Sequence, residues 1–139
     1  MGMILAKVIH TMTNNVPKTK GQVEAQISEA IIKFEKEYMG RGPDETKTYI
    51  IDDMIVIRLQ RVLTPAEQQL AKSNDEANGR SLIKQMRREL LEKARPLLAA
   101  MVLDITGHAV VSLHTDISTA SGERIIIFTL DASLDYRQD

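Results

Sequence analysis

The segment from Gly40 to Glu67 constrains this chain more than any other. Gly40-Arg41-Gly42-Pro43 reads as a helix stop: glycine accepts the left-handed backbone that follows a helix C-terminus, and proline prevents the helix from resuming. Thr48 to Leu59 then carries two apolar runs around Asp52-Asp53, the pattern of a β-hairpin with a two-residue turn. In that register Ile51 faces Met54, Ile50 faces Ile55 and Lys47 faces Arg58. Thr64, Pro65 and Glu67 complete the segment as a helix start, with Thr64 as N-cap, Pro65 at the first helical position and Glu67 as the reciprocal capping-box partner. Helix end, hairpin and helix start thus follow one another in under thirty residues.

The flanking sequence extends this frame. Val23, Ile27, Ala30, Ile31, Phe34 and Tyr38 recur at spacings of three and four, which predicts a helix over Gly21 to Met39 with Lys33, Glu35 and Lys36 lying mostly away from its apolar stripe. A longer helix is predicted from Ala77 to Thr106. Its stripe reads Leu82, Ile83, Met86, Leu90, Leu91, Ala94, Leu97, Leu98, Met101 and Ile105, with a kink at Pro96 and an end at Gly107. A second hairpin joins His108–Ser118 to Glu123–Asp131, with Gly122 suited to a left-handed loop position. The order helix, hairpin, helix, helix, hairpin predicts an α+β fold: a four-stranded, mostly antiparallel sheet made of two β-hairpins, with helices on one face. The predicted organisation is a flexible lead-in over residues 1–18, a single domain over 19–132 and a polar tail over 133–139.

Composition narrows function by exclusion. A 139-residue chain with 43% hydrophobic and 27% charged residues is long enough for one sizeable core and too apolar for disorder. The net charge of -1 gives no general attraction to nucleic acid or anionic membrane. The absence of cysteine excludes disulfides and thiolate chemistry. No apolar run approaches the roughly 20 residues that span a bilayer, and no cleavage signal follows Met1–Ile9. A cytoplasmic location without direct membrane insertion is therefore the expectation.

Part of the chain resembles a known family. Gly40-Arg41-Gly42-Pro43, Tyr49-Ile50, Asp52-Asp53, Ile55 to Leu59 with its Arg58-Leu59 end, and Leu63-Thr64-Pro65-Ala66-Glu67 are similar to the signature of the MpsC-like family. That family takes its label from the C component of a sodium-translocating, membrane-potential-generating system. Arg87-Arg88-Glu89, Arg95-Pro96 and Ile105-Thr106-Gly107 extend the resemblance, which covers roughly Thr19 to Leu130. It implies a soluble component associated with sodium- or inorganic-carbon-dependent membrane systems. It implies no catalytic residues.

Several candidate sites follow from the residues themselves. Gly40, Arg41 and Gly42 form either a helix cap or an anion-binding nest, and Lys47 and Arg58 place two like charges side by side at the hairpin base. An acidic neighbour such as Asp116 or Asp131, or a bound anion, is needed to offset that repulsion. Arg80, Lys84, Arg87, Arg88 and Arg95 form a basic stripe interrupted by Glu89 and Glu92, which reads as a solvated helix face rather than a nucleic-acid platform. His108, His114 and Asp116 share a strand face, but six strand residues separate the histidines by roughly 20 Å, too far for one metal ion. No nucleophile elbow, phosphate loop or dinucleotide fingerprint is present. Neither a cofactor nor an enzymatic activity is predicted.

The second sheet face is apolar. Tyr49, Met54, Val56, Ile126 and Phe128 are the candidate interface, a patch larger than monomers normally leave open. The expectation is a non-enzymatic interaction or regulatory module, a homodimer, accessory by resemblance to a membrane sodium or bicarbonate transport system. The alternatives are a small-anion or nucleotide-phosphate sensor and an RNA-associated protein.

Overall fold

The computed structural model describes residues 18–72 and 76–137. Apart from Lys18, the predicted lead-in lies outside the described residues. The elements are α1 (Lys20–Met39), β1 (Glu45–Ile51), β2 (Met54–Gln60), α2 (Pro65–Lys72), α3 (Glu76–Thr106), β3 (Val110–Ile117) and β4 (Arg124–Leu130). The sheet is antiparallel throughout, in the order β1-β2-β4-β3. α1 packs against β1, and α3 against β3 and α1, so both helices lie on one face. The long helix continues through Pro96 without ending there.

Local chemistry sets the element ends. Thr19 caps α1 in a reciprocal box: the Gln22 amide donates to Thr19 Oγ1 and the Thr19 amide donates to Gln22 Oε1. Gly40 ends the helix at φ 83°. The first hairpin turns at Asp52-Asp53, with Asp52 at φ 55°, and pairs Lys47 with Arg58 and Ile51 with Met54, as the sequence predicts. Thr64 and Glu67 cap α2 as expected, with Thr64 N–H donating to Glu67 Oε1 at 2.9 Å.

The core lies between the sheet and the helices. Ile50, Ile55, Ile57, Leu59, Ile126, Phe128 and Leu130 meet Val23, Ile27, Ile31 and Phe34 of α1 and Ile83, Leu91, Ala94, Leu98 and Val102 of α3. Two stripes differ from the hydropathy reading. On α3 the buried line is Ile83, Arg87, Leu91, Ala94, Leu98 and Val102, while Leu82, Met86 and Leu97 are exposed. On α1 Glu35 is fully buried, whereas Tyr38 is exposed and stacks on Phe34 with ring centroids 5.0 Å apart. A register shift between Val110 and Ser112 interrupts the alternation of β3 and leaves Val111 exposed. After β4, Leu134 and Tyr136 return to pack against the core, so the segment predicted to be a polar tail is partly anchored.

A buried charge cluster accounts for the shifted stripes. Arg124 from β4 donates to Glu35 Oε1 from α1 at 3.1 Å. Arg87 from α3 grips Glu67 from α2 with two hydrogen bonds of 2.7 Å and donates to the Val62 carbonyl at 3.1 Å. Arg87 Nη1 stands 3.6 Å from Glu35 Oε2, linking the two pairs. Two arginines and two glutamates, none more than 4% exposed, thus join four elements with no net charge. Burial pushes the Glu35 carboxyl above its ordinary value, with the Arg124 and Arg87 guanidiniums pulling back. Burial acts the same way on Glu67, but hydrogen bonds from Arg87 and the Thr64 amide outweigh it and leave that carboxyl below its ordinary value.

Removing one charge from such a cluster strands its partner without water, at a cost of about 3–5 kcal/mol, whereas removing both partners costs far less. Glu35→Leu or Arg124→Met alone is therefore expected to lose about that much in urea denaturation, and the double variant to be more stable than either single variant. The two acids also predict opposite pH effects. Glu67, with its lowered folded value, contributes stability that is present above its ordinary value of 4.5 and lost as pH falls through the folded value. Glu35, with its raised folded value, opposes folding when ionised, and this opposition is relieved as pH falls from neutral towards 4.5. Over that range the urea midpoint of the wild type should rise relative to that of Glu35→Gln. Its advantage over Glu67→Gln should disappear only below 4.5.

Candidate functional site

The face of the sheet turned away from the helices is a lattice of three rows across four strands. The register places Lys47, Arg58, Ile125 and Asp116 in one row, Tyr49, Val56, Ile127 and His114 in the next, and Ile51, Met54, Thr129 and Ser112 in the last. Tyr49 and Ile51 are 47% and 52% exposed; Met54, Val56, Ile125 and Ile127 are partly buried. The centre is thus aliphatic, with two cations at the β1–β2 corner and polar residues along β3.

This face corrects the predicted interface at two positions. Ile126 and Phe128 are fully buried among the helices, and the outward residues of β4 are Ile125 and Ile127. The cause is register: Ile126 pairs with Ile57 and Phe128 with Ile55, and paired residues share a face. Tyr49, Met54 and Val56 do lie on the open face.

The edges of the sheet are blunted. On β1 the Ile50 amide donates to Glu24 Oε2 of α1 at 3.0 Å, and on β3 the Leu113 carbonyl accepts from Arg95 of α3 at 3.1 Å. A helix side chain thus occupies one outward backbone group on each edge strand. Among the described residues, no helix covers the opposite face of the sheet.

The charged residues of the predicted anion site are each engaged in other contacts. Arg41 donates to the Leu63 carbonyl at 2.6 Å and to Asp44 at 2.9 Å, while Arg61 holds the other oxygen of Asp44 at 2.7 Å. Hydrogen bonds from Arg61 and Arg41 keep the Asp44 carboxyl below its ordinary range. Gly40 serves as the helix cap, and a Cβ on Gly42 would stand 2.8 Å from Lys36 Cε, so the loop is packed against α1. Lys47 pairs with Glu45 at 3.7 Å, and Arg58 with Glu123 at 2.6 Å. The acid that offsets the hairpin base is therefore Glu123, in place of Asp116, which pairs with Lys84, or Asp131, which pairs with His108. Hydrogen bonding by its own-strand neighbour, the Ile117 amide, leads the lowering of the Asp116 carboxyl, with Lys84 adding to it.

The basic stripe also changes character. Arg87 is inside the charge cluster, Arg95 is tied to Leu113 and Lys84 to Asp116. Ser112 hydrogen-bonds with Thr129 Oγ1, and His114 Nε2 lies 3.1 Å from Ser112 Oγ. Among the described residues no group of three potential ligands gathers around a possible metal position. No helix among them is long and apolar enough to cross a membrane.

Ile125 and Ile127 escape a sequence reading because Ile125 to Phe128 is apolar at every position. Arg124 reads as a surface residue, which would turn 126 and 128 outward as well. A buried arginine at the start of β4 puts the alternate residues 126, 128 and 130 inward.

This architecture can be set beside known proteins. The chain is 44% identical over 113 residues to the uncharacterized protein YbcI of Bacillus subtilis (strain 168), a match covering 81% of this chain and 89% of that protein. It is 24% identical over 115 residues to the uncharacterized protein YrhF of the same organism, covering 82% and 92%. No solved structure matches it significantly. The family model described as "Na+-translocating membrane potential-generating system (MpsC)" matches residues 19–132, the span from the N-cap of α1 to just beyond β4, and the chain belongs to the MpsC family.

Proposed function

We propose that the chain is a non-enzymatic interaction module which pairs with a second copy of itself through its open sheet face. In that form it serves as a cytoplasmic accessory to a membrane sodium or bicarbonate system. The membrane link is supported by the family's description. The pairing is supported by one observation above all: six apolar side chains stand together on a sheet face that no described helix covers.

The pattern of that face is self-complementary. A two-fold axis parallel to the strands lays β1 over β3 of the partner and β2 over β4, and keeps each row over its own copy. Val56 then meets Ile127 of the partner subunit. Isologous contacts of this kind close after two copies. Sheets stacked face to face pack about 10 Å apart, close to parallel. With strands about 4.8 Å apart and seven residues at about 3.3 Å each, the face measures roughly 19 by 23 Å, or about 440 Å² per copy before side-chain relief. Two such faces, about 880 Å² together, fall below the roughly 1,200 Å² at which stable interfaces begin, so a weak, concentration-dependent dimer is expected.

Sedimentation velocity over micromolar concentrations provides the test. The wild type should shift from monomer to dimer, and Ile127→Lys should stay monomeric with an unchanged far-ultraviolet spectrum. Phe128→Lys should instead unfold the protein, because Phe128 lies in the core. A wild type that remains monomeric throughout, or an Ile127→Lys variant that still dimerises, would contradict the proposal.

A further inference from the structure

A second surface, at the end of the sheet beyond Arg58 and Glu123, has a different chemistry. An open cleft of about 610 Å³ lies between the loop after β2, helix α2, the start of α3 and the β3–β4 turn. Arg41, Arg61, Lys72 and Arg80 line it, and among the described residues no acidic or aromatic side chain does. The four cations come from four separate segments of a chain whose overall charge is -1. Local sequence bias therefore does not explain their convergence.

Among the described residues the charges are only partly offset. Arg41 and Arg61 share the single carboxylate of Asp44. Lys72 and Arg80 hold no hydrogen bond or ion pair among the described residues. Arg61 stands in the left-handed region at φ 55°, where a non-glycine residue is strained. From that position its Nε binds Asp44 and its side chain lines the cleft. On the opposite wall the turn residues Thr119 to Gly122 bring backbone close to the opening.

We infer that this cleft binds a small soluble compound carrying two or more linked phosphates, held by Arg61, Lys72 and Arg80 with Arg41 and Asp44 fixing the inner wall. Guanidinium forks match the spacing of phosphate oxygens, and several linked phosphates can reach cations on separate segments. The cleft is larger than one phosphate needs. Its lack of aromatic lining leaves no stacking platform for bases, so the phosphates themselves are the recognised part. The concave shape favours a free compound over a lipid headgroup held in a flat membrane. This site does not depend on dimerisation, because it shares no residue with the apolar lattice.

Isothermal titration of the full chain with inorganic tripolyphosphate tests it, beside orthophosphate and flotation with vesicles rich in anionic phospholipid. Tripolyphosphate should bind, and orthophosphate more weakly. Each of Lys72→Gln and Arg80→Gln should weaken binding by about tenfold, the value of a charge-assisted contact. Arg58→Gln, which alters the open face, should leave it unchanged. Ile127→Lys, whether dimeric or not, should also bind normally, which separates failure of this site from failure of the dimer. Absence of tripolyphosphate binding, wild-type affinity in both cleft variants, or vesicle binding without tripolyphosphate binding would each overturn the inference.

Discussion

The buried cluster of Glu35, Glu67, Arg87 and Arg124 organises this protein. Each charge comes from a different element, so the cluster forms only when α1, α2, α3 and β4 are all in place. Ionised groups taken from water need close, well-oriented partners, and a displaced partner is costly. Apolar contacts in the same place would tolerate sliding. The bidentate grip of Arg87 on Glu67, by contrast, specifies rotation of α3 and position of α2 together. Glu67 also closes the Thr64 cap, so one carboxylate ties the start of a helix to the core.

The cluster also decides which side of β4 meets the helices. Arg124 faces inward to reach Glu35, and the alternation of a strand carries Ile126, Phe128 and Leu130 inward with it. Ile125 and Ile127 are left outside, next to Val56 and Arg58. The apolar character of the open face is thus a consequence of where a buried charge sits. A run of identical residues could serve either side equally well. The polar anchor beside it removes that degeneracy.

Much of the fold was legible in the sequence because its signals were local. Asp52-Asp53 between two apolar runs gave both the turn and the register of the first hairpin, and Thr64-Pro65-Ala66-Glu67 marked a helix start. The misread parts depend on tertiary partners. Glu35 and Arg87 occupy core positions at helical spacing from Ile31 and from Ile83 and Leu91, yet charged residues are ordinarily assigned to the surface. Met86 and Leu82 were drawn into the stripe in their place. The parity of β4 could not come from four consecutive apolar residues. Gly40 is a helix cap, one of the two readings its loop allowed, but the role of Arg41 depends on Asp44, Arg61 and Leu63, which only the folded chain brings to it. The basic cleft was invisible for the same reason, since its cations are scattered from residue 41 to residue 80.

The central claim is that charge burial turns one face of β4 into core and leaves the other as a contact surface. The chain has no cysteine, so single thiols can be placed without background. The decisive measurement is the rate of thiol modification in Ile126→Cys and Ile127→Cys, each followed from dilute to concentrated protein. The thiol at position 127 should react quickly when dilute and become protected as concentration rises, while that at position 126 stays protected throughout. Equal reactivity at the two positions would contradict the assigned parity, and a rate at position 127 that ignores concentration would contradict its role in self-association.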